Sequence, residues 1–157
     1  MLKYYTYELT FAEVPDEISL CFSISNCQNR CDGCHSPFLR EDVGDTLDKD
    51  SLCEIVNRHR EQFTCICFLG EGNDKNTLQE LITFSKKLGY RTCLYSGRDD
   101  VCIDEYKDLN YIKIGSYKTS YGPLNKKTTN QKMYKLSADS SAASEDITYK
   151  FWGGVTT

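Results

Sequence analysis

The chain has 157 residues, 39% of them hydrophobic and 27% charged, and a formal net charge of −4 at pH 7. This composition is ordinary for a globular domain, and the acidic balance is not typical of a general nucleic-acid binder. No window approaches the roughly 18 apolar residues of a membrane span, and the start MLKYYTYELT lacks the apolar core of a signal peptide. We therefore expect one domain over residues 1–157, cytoplasmic, with no direct contact to nucleic acid or membrane.

Predicted strands and helices alternate along the chain. We expect a strand at residues 18–24, a helix over 47–62, a strand at 65–69, a helix from the capping-box pattern at 77–80 to Gly89, a strand at 91–95, a short helix near 100–106, a strand at 111–114 and a last strand near ITYKFW. Helices of this length between strands indicate an α/β domain with a mainly parallel sheet.

Three loops follow successive predicted strands, with the sequences CQNRCDGCH, GEGND and SGRDD. Ligands of parallel sheets bind at the carboxyl ends of the strands. We therefore expect these three loops to lie at one edge of the sheet and to form the functional site there.

Cysteine is frequent, with nine residues. An odd number without an export signal disfavours a disulfide framework, because cytosolic thiols stay reduced. Metal ligation is the main remaining explanation for any cluster among them. Isolated cysteines such as Cys53 and Cys93 are expected to serve as small buried hydrophobic residues.

Cys27, Cys31 and Cys34 form a Cys-x3-Cys-x2-Cys pattern. Ordinary [4Fe–4S] proteins use four cysteines, one for each iron, so three thiolates leave one iron open to a substrate. Gly33 allows a tight reversal of the chain between the last two ligands. The pattern indicates a [4Fe–4S] cluster.

Two alternatives remain for these thiols. A structural zinc site could join Cys31 and Cys34 to Cys65 and Cys67, and the thiols could also be unligated. The zinc site is disfavoured because Cys65 and Cys67 belong to an apolar run that predicts a core strand, and because Cys27 stays unexplained. Exposed unligated thiols would oxidise.

CQNRCDGCH matches the cysteine motif of the radical S-adenosylmethionine (SAM) enzymes. More narrowly, the chain resembles the activating proteins of anaerobic (class III) ribonucleoside-triphosphate reductases, through CLYSGRDD, YIKIG and YGPLNKKTTNQKMY as well as the cysteines. The resemblance covers nearly the whole chain. It implies a shortened, open (β/α) barrel-like radical SAM fold.

The resemblance also implies an activity. SAM chelates the open iron, and one electron from the reduced cluster breaks its sulfonium bond to give methionine and a 5′-deoxyadenosyl radical. That radical takes a hydrogen atom from a backbone glycine of the reductase large subunit and leaves a glycyl radical. An electron donor such as a flavodoxin is implied as a second partner. The cofactors are the cluster and SAM, and the protein orients them.

Several residues match positions that bind SAM in this family. Gly70, Glu71 and Gly72 stand at its Gly-Gly-Glu motif, although here the glycines flank the glutamate instead of preceding it. The resemblance assigns the SAM ammonium to Glu71, with Asp74 in reserve; a plain strand-to-helix turn capped by Asn73 and Asp74 is the alternative. Further SAM contacts are implied for Gly33, Cys34, His35, Ser96 and Lys113.

Some of these assignments have structural alternatives. Lys113 could equally be an exposed lysine at a strand end, and His35 a loop residue contacting backbone, whereas His59 is expected to be structural. Residues 113–135 are rich in lysine, and composition alone indicates a solvated loop. The resemblance of Thr129, Asn130 and Gln131 to the family instead indicates a role in the site or in docking the reductase.

Two other functions stay open at this point. One is the activation of another glycyl radical enzyme, of the formate-lyase type. The other is a zinc-stabilised interaction module without catalysis.

Overall fold

A computed structural model describes residues 1–28, 37–102, 105–136 and 144–152 of the chain. The eight strands are β1 (Lys3–Thr10), β2 (Ser19–Ile24), β3 (Asp45–Thr46), β4 (Cys65–Leu69), β5 (Arg91–Tyr95), β6 (Tyr111–Ile114), β7 (Lys132–Lys135) and β8 (Glu145–Asp146). The helices are α1 (Lys49–Arg58) and α2 (Lys75–Lys87), with 3₁₀ turns at Pro37–Arg40 and Thr148–Phe151. All strands belong to one sheet, in the order β3-β1-β2-β4-β5-β6-β7-β8.

The sheet is mixed, and the prediction of a mainly parallel, shortened open (β/α) barrel is wrong. Only the pairs β2–β4, β4–β5 and β5–β6 are parallel. The pairs β1–β2, β1–β3, β6–β7 and β7–β8 are antiparallel. Antiparallel neighbours need no crossover helix, so the strands added at both ends explain why the described residues contain only two α-helices.

The central strands agree with the sequence prediction. β4, β5 and β6 have the expected bounds, and β2 begins one residue later than expected. Their residues are almost all buried because both faces of this part of the sheet are covered. The antiparallel strands β1 and β7 were not predicted, because partly exposed strands carry polar residues that weaken the apolar signal.

Both helices begin at an aspartate. Asp48 caps α1 in a reciprocal capping box with Ser51, and the helix ends at Arg58, four residues before the predicted end. Asp74 caps α2 by accepting from the Thr77 backbone N–H at 3.1 Å. Thr77 therefore lies inside the helix, and the predicted capping box at 77–80 is wrong. α2 stops before Gly89, as predicted, and Gly89 has a φ of 98°.

The core has two layers, one on each face of the sheet. On one face, residues of α1 and α2 pack over the side chains of Leu20, Phe22, Phe68, Leu94 and Ile112. On the other face, which we call the thiol face, buried cysteines pack with a few apolar residues; the members are Val14, Cys21, Cys65, Cys67, Cys93, Tyr111, Met133 and Ile147.

The C-terminal part of the described chain contributes to the thiol face through Ile147 and Phe151. The strand predicted near ITYKFW is instead the 3₁₀ turn Thr148–Phe151, preceded by the two-residue strand β8. The short helix predicted near 100–106 falls partly on residues 103 and 104, outside the described ranges. Within those ranges, no helix is long and apolar enough to span a lipid bilayer.

Candidate functional site at the carboxyl ends of the parallel strands

The loops that follow β2, β4 and β5 emerge at the same edge of the sheet, because these strands are parallel neighbours. Backbone hydrogen bonds join the loops. The Gly70 N–H donates to the Tyr95 carbonyl at 3.0 Å, and the Gly115 N–H donates to the Arg98 carbonyl at 3.0 Å. The GEGND and SGRDD motifs therefore lie side by side, as the strand pattern predicts, whereas most of the CQNRCDGCH motif lies outside the described residues.

Cys27 stands at the start of the cysteine-rich loop. Its N–H donates to the Leu39 carbonyl at 2.8 Å, and the Asn26 N–H donates to the Glu41 carbonyl at 3.2 Å. These bonds hold the start of the loop against the 3₁₀ turn, and Cys27 is half-buried there. The other predicted residues of this loop, Cys31, Gly33, Cys34 and His35, lie outside the described residues.

Glu71 lies in a dense hydrogen-bond network. Arg98 donates to both of its carboxylate oxygens, from Nε at 3.0 Å and from Nη2 at 2.8 Å. Tyr106 donates its hydroxyl to Oε1 at 2.6 Å, and Ser96 donates to Oε2 at 2.7 Å. Each oxygen therefore accepts two bonds, which is close to the full capacity of a carboxylate.

The flanking glycines make this placement of Glu71 possible. Gly70 and Gly72 both have positive φ angles, of 120° and 64°, a region that glycine reaches without a steric cost. A Cβ at Gly72 would lie 2.8 Å from Leu2 and 2.9 Å from Ile24. The glycines thus turn the chain so that Glu71 reaches Ser96 and Arg98 in the loop after β5.

The hydrogen bonds of this network stabilise the charged forms of Glu71 and Arg98. Burial raises the pKa of the Glu71 carboxyl, but the bonds from Arg98, Tyr106 and Ser96 outweigh burial, and the pKa is lowered overall. The bond to Glu71 also raises the pKa of Arg98. Glu105 binds both Arg98 and Lys75, so two carboxylates and two cations form one chain of ion pairs.

Asp74 caps α2, as the alternative interpretation of this turn proposes. It also pairs with the N-terminal ammonium of Met1 at 3.0 Å. The bonds from Thr77 and from that ammonium lower the pKa of Asp74 to about 2.

Lys113 lies apart from Glu71. Alternation along β6 puts Ile112 in the helix-side core and Lys113 on the thiol face, where its Nζ lies 5.4 Å from the centroid of the Tyr95 ring. The Nζ donates to the Gly115 carbonyl at 3.0 Å, and only 7% of the residue is exposed. The structure thus brings Glu71 and Ser96 together, and the Ser96 N–H donates to the Lys113 carbonyl at 2.8 Å, but the Lys113 side chain lies on the thiol face. Lys113 is not the exposed lysine that was one of its two sequence interpretations.

The cysteines of the thiol face are core residues. Cys21 lies beside Cys67, and Cys67 lies beside Cys93, on three neighbouring strands. Burial raises the pKa of Cys65, Cys67 and Cys93, and the bond to Cys67 together with burial raises that of Cys21. The raised pKa values favour the neutral thiol form of these side chains in the core. Cys93 is buried as predicted, whereas Cys53 is only partly buried.

The described residues contain no group of three or more His, Cys, Asp or Glu arranged to hold a metal ion. The zinc alternative needs Cys65 and Cys67, and both are committed to the core strand β4.

A groove lies beside this edge, between the loop after β5 and the pair β6–β7. It has a volume of about 670 Å³, and its lining includes Val101, Ile114, Lys118, Asn130, Lys132 and Tyr134. Asn130 donates its Nδ2 to the Ser116 carbonyl at 3.1 Å, and Gln131 donates its Nε2 to the Gly115 carbonyl at 3.2 Å. Asn130 and Gln131 thus tie the start of β7 to the end of β6.

Sequence reasoning missed the partners of Glu71. Arg98 belongs to the SGRDD loop that was placed at this edge, so its proximity was predictable, but its pairing was not. Tyr106 carried no sequence signal, because it reaches Glu71 from 35 residues away.

Comparison with known proteins yields no relative: no family model, no curated protein and no solved structure matches this chain.

Proposed function

We propose that this protein is a radical SAM activase that installs a glycyl radical on an anaerobic ribonucleoside-triphosphate reductase. The observation that carries the proposal is the Cys-x3-Cys-x2-Cys motif at residues 27–34, which begins three residues after the end of β2. The site at this edge of the sheet contains a buried carboxylate, glycine-rich turns and a cluster of charges, as a cofactor site requires.

The ligands of the cluster are Cys27, Cys31 and Cys34. Of these, Cys27 is held by its backbone to the 3₁₀ turn and is partly exposed, which suits a ligand better than the buried thiols of the core. When bound, the cluster and SAM supply the one-electron cleavage chemistry that ends in a glycyl radical on the reductase.

Glu71 is the acidic residue of the proposed SAM site, but its oxygens already accept four bonds from Arg98, Tyr106 and Ser96. An ammonium group at Glu71 must therefore replace one of these donors. Arg98 is the partner best able to leave, because Glu105 is already bound to the same guanidinium and can keep it. We therefore assign to Arg98 the role of holding Glu71 until the ligand arrives.

Lys113 lies at the end of β6 on the thiol face, with its ammonium directed along the edge toward Gly115. In the proposal it supplies a point charge for an anionic group on that face, whereas Glu71 supplies the negative charge on the helix side. Ser96 orients Glu71 by donating its hydroxyl to the carboxylate.

Anaerobic reconstitution with iron and sulfide tests the proposal. We expect about four irons per chain, a value that follows from a cubane cluster. With SAM and a reductant, the protein should release 5′-deoxyadenosine, and with the cognate reductase it should produce the electron paramagnetic resonance signal of a glycyl radical. Cys27→Ala should abolish the cleavage of SAM, whereas the matched Cys53→Ala variant should retain it.

Three results would contradict the proposal. Zinc without iron after reconstitution would favour the zinc-stabilised module, and full cleavage by Cys27→Ala would remove the ligand assignment. A radical formed on a formate-lyase type enzyme but not on the reductase would assign the activase to that other substrate.

A further inference from the structure

Positive charge is concentrated in one part of this acidic chain. Residues 113–135 contain six lysines and no aspartate or glutamate, while the whole chain has a net charge of −4. Lys113 is buried, and the other five are exposed; these are Lys118, Lys126, Lys127, Lys132 and Lys135. Lys118 lies 3.8 Å from Asp99. Among the described residues, no carboxylate forms an ion pair with the remaining four. Lys135 lies opposite Glu145 in the β7–β8 pair, so we define the basic patch as the exposed lysines of residues 118–132.

The groove opens into this patch. Lys118 and Lys132 form part of its lining, and Val101, Ile114 and Tyr134 supply apolar surface between them. Its volume of about 670 Å³ is within the range of sites that take a small molecule or a few side chains. The lining thus combines apolar side chains with two ammonium groups and with the carboxylate of Asp99, the partner of Lys118.

The wall of the groove also contains an unsatisfied acceptor. The bond from Asn130 Nδ2 to the Ser116 carbonyl fixes the orientation of the amide. Asn130 Oδ1 is buried and has no hydrogen-bond partner in the described parts of the chain. Such acceptors are uncommon in folded proteins, and this one belongs to a residue that lines the groove.

We propose that this groove binds an acidic peptide segment of a protein partner. Its carboxylates would pair with Lys118 and Lys132, and an apolar side chain between them would pack on Ile114 and Tyr134. The charge complementarity identifies the occupant: a segment with an excess of Asp and Glu is attracted by the basic patch, and Lys126 and Lys127 extend that attraction beyond the groove.

A peptide fits these features better than a nucleic acid does. Nucleic-acid grooves stack bases on several aromatic side chains, and this lining contains one aromatic residue, Tyr134. Asp99 also lines the groove and would repel a phosphate and a carboxylate alike, so it does not distinguish the two occupants. The apolar side chains of Val101 and Ile114 instead suit the side chain of a peptide.

The groove is connected to the proposed catalytic edge. Gly115 lines it, and the same residue accepts from Lys113 Nζ and donates to the Arg98 carbonyl. A segment in the groove is therefore held beside the site. In this respect the inference rests on the proposed function, which makes the reductase the partner that supplies the acidic segment.

The experiment measures binding of the cognate reductase, and separately of poly-L-glutamate, to the full chain at low and high salt. Two double variants are tested: the charge reversal Lys118→Glu/Lys132→Glu and the milder Lys118→Gln/Lys132→Gln. The control is Lys107→Glu, because Lys107 is exposed, lies outside the groove and forms no ion pair in the described structure. We expect charge reversal to weaken both ligands by about tenfold or more, with a smaller loss in the glutamine variant. Lys107→Glu should bind like the parent, and cleavage of SAM without the reductase should be unchanged in every variant.

The outcomes separate the two proposals. Unchanged binding of the reductase and of poly-L-glutamate by the charge-reversed variant would overturn the groove assignment, and so would tighter binding of single-stranded DNA than of poly-L-glutamate. If no SAM is cleaved and the reductase does not bind, but poly-L-glutamate binding depends on Lys118 and Lys132, the activase function fails and the acidic-peptide groove stands.

Discussion

Arg98 binds Glu71 in a bidentate ion pair, with Nε 3.0 Å and Nη2 2.8 Å from the two carboxylate oxygens. The pair joins the turn after β4 to the loop after β5, and the side chain of Glu71 is only 10% exposed. Because a planar guanidinium and a carboxylate match in geometry, this contact defines the relative position of two loops at the proposed site.

The first prediction concerns this pair. Glu71→Gln removes the charge but keeps the shape, so the free energy of unfolding should fall by about 2 kcal/mol, the value of hydrogen bonds to a charged group. Arg98→Lys should cost less, since an ammonium keeps one contact. Urea denaturation at neutral pH measures both. Equal stability of Glu71→Gln and the parent would show that the network adds nothing to folding.

The same two variants separate positioning from binding. If Glu71 receives the ligand, Glu71→Gln should lose SAM affinity by about tenfold to a hundredfold, whereas Arg98→Lys should retain it. Isothermal titration on the reconstituted protein gives both affinities. A loss of SAM affinity in Arg98→Lys, with none in Glu71→Gln, would assign the ligand contact to Arg98.

The second prediction concerns the cap of α2. The pKa of Asp74 is lowered to about 2 from an ordinary value of 3.8, so its charged form stabilises the folded protein. This contribution is complete above about pH 4 and is lost as the pH falls toward 2. Asp74→Ala should cost about 1 kcal/mol at neutral pH, and the difference from the parent should shrink in acid. Denaturation curves at several pH values test this; a difference that grows in acid would contradict it.

The third prediction concerns thiol reactivity. Cys21, Cys65, Cys67 and Cys93 are buried on the thiol face, whereas Cys102 is exposed. Burial and a raised pKa both suppress reaction with a disulfide reagent. Under native conditions these four should stay unmodified until the protein unfolds, and Cys102 should react before any of them. Mass spectrometry of peptides after timed labelling locates each modification. Early labelling of Cys67 would show that the sheet opens locally.

The fourth prediction concerns Glu17, a buried carboxylate at the opposite end of the parallel strands. It accepts from the Thr64 hydroxyl at 2.6 Å and the Tyr111 hydroxyl at 2.7 Å, and it pairs with Arg91 at 3.2 Å. Glu17→Ala should cost about 2 kcal/mol, because it leaves the buried Tyr111 hydroxyl without its acceptor and removes the ion pair with Arg91. Tyr111→Phe removes one of these donors and should cost about 1 kcal/mol. Thermal or urea unfolding compares the two, and a larger loss in Tyr111→Phe would contradict the central position of Glu17.

Much of the parallel part of the fold followed from local sequence. The runs CICFL, RTCLY and YIKI contain enough consecutive apolar residues to define β4, β5 and β6 at the correct bounds. The mixed character of the sheet was not predictable in this way. β1 contains exposed Tyr5 and Glu8 among its residues, and β7 has only four residues, so neither shows a strong period.

The sequence by itself showed three local patterns: the cysteine motif, the glycines around Glu71 and the lysine-rich segment. Each is visible because its residues are close together along the chain. Only the tertiary structure decided three other features. These are the pairing of Glu71 with Arg98 and Tyr106, the position of the Lys113 side chain on the thiol face, and the groove between Val101 and Tyr134. Each depends on residues far apart in the chain that meet because strand order and side-chain alternation place them on one face of the sheet. Long-range contacts of this kind leave no period in the sequence, since the free energy that selects them comes from packing the whole sheet.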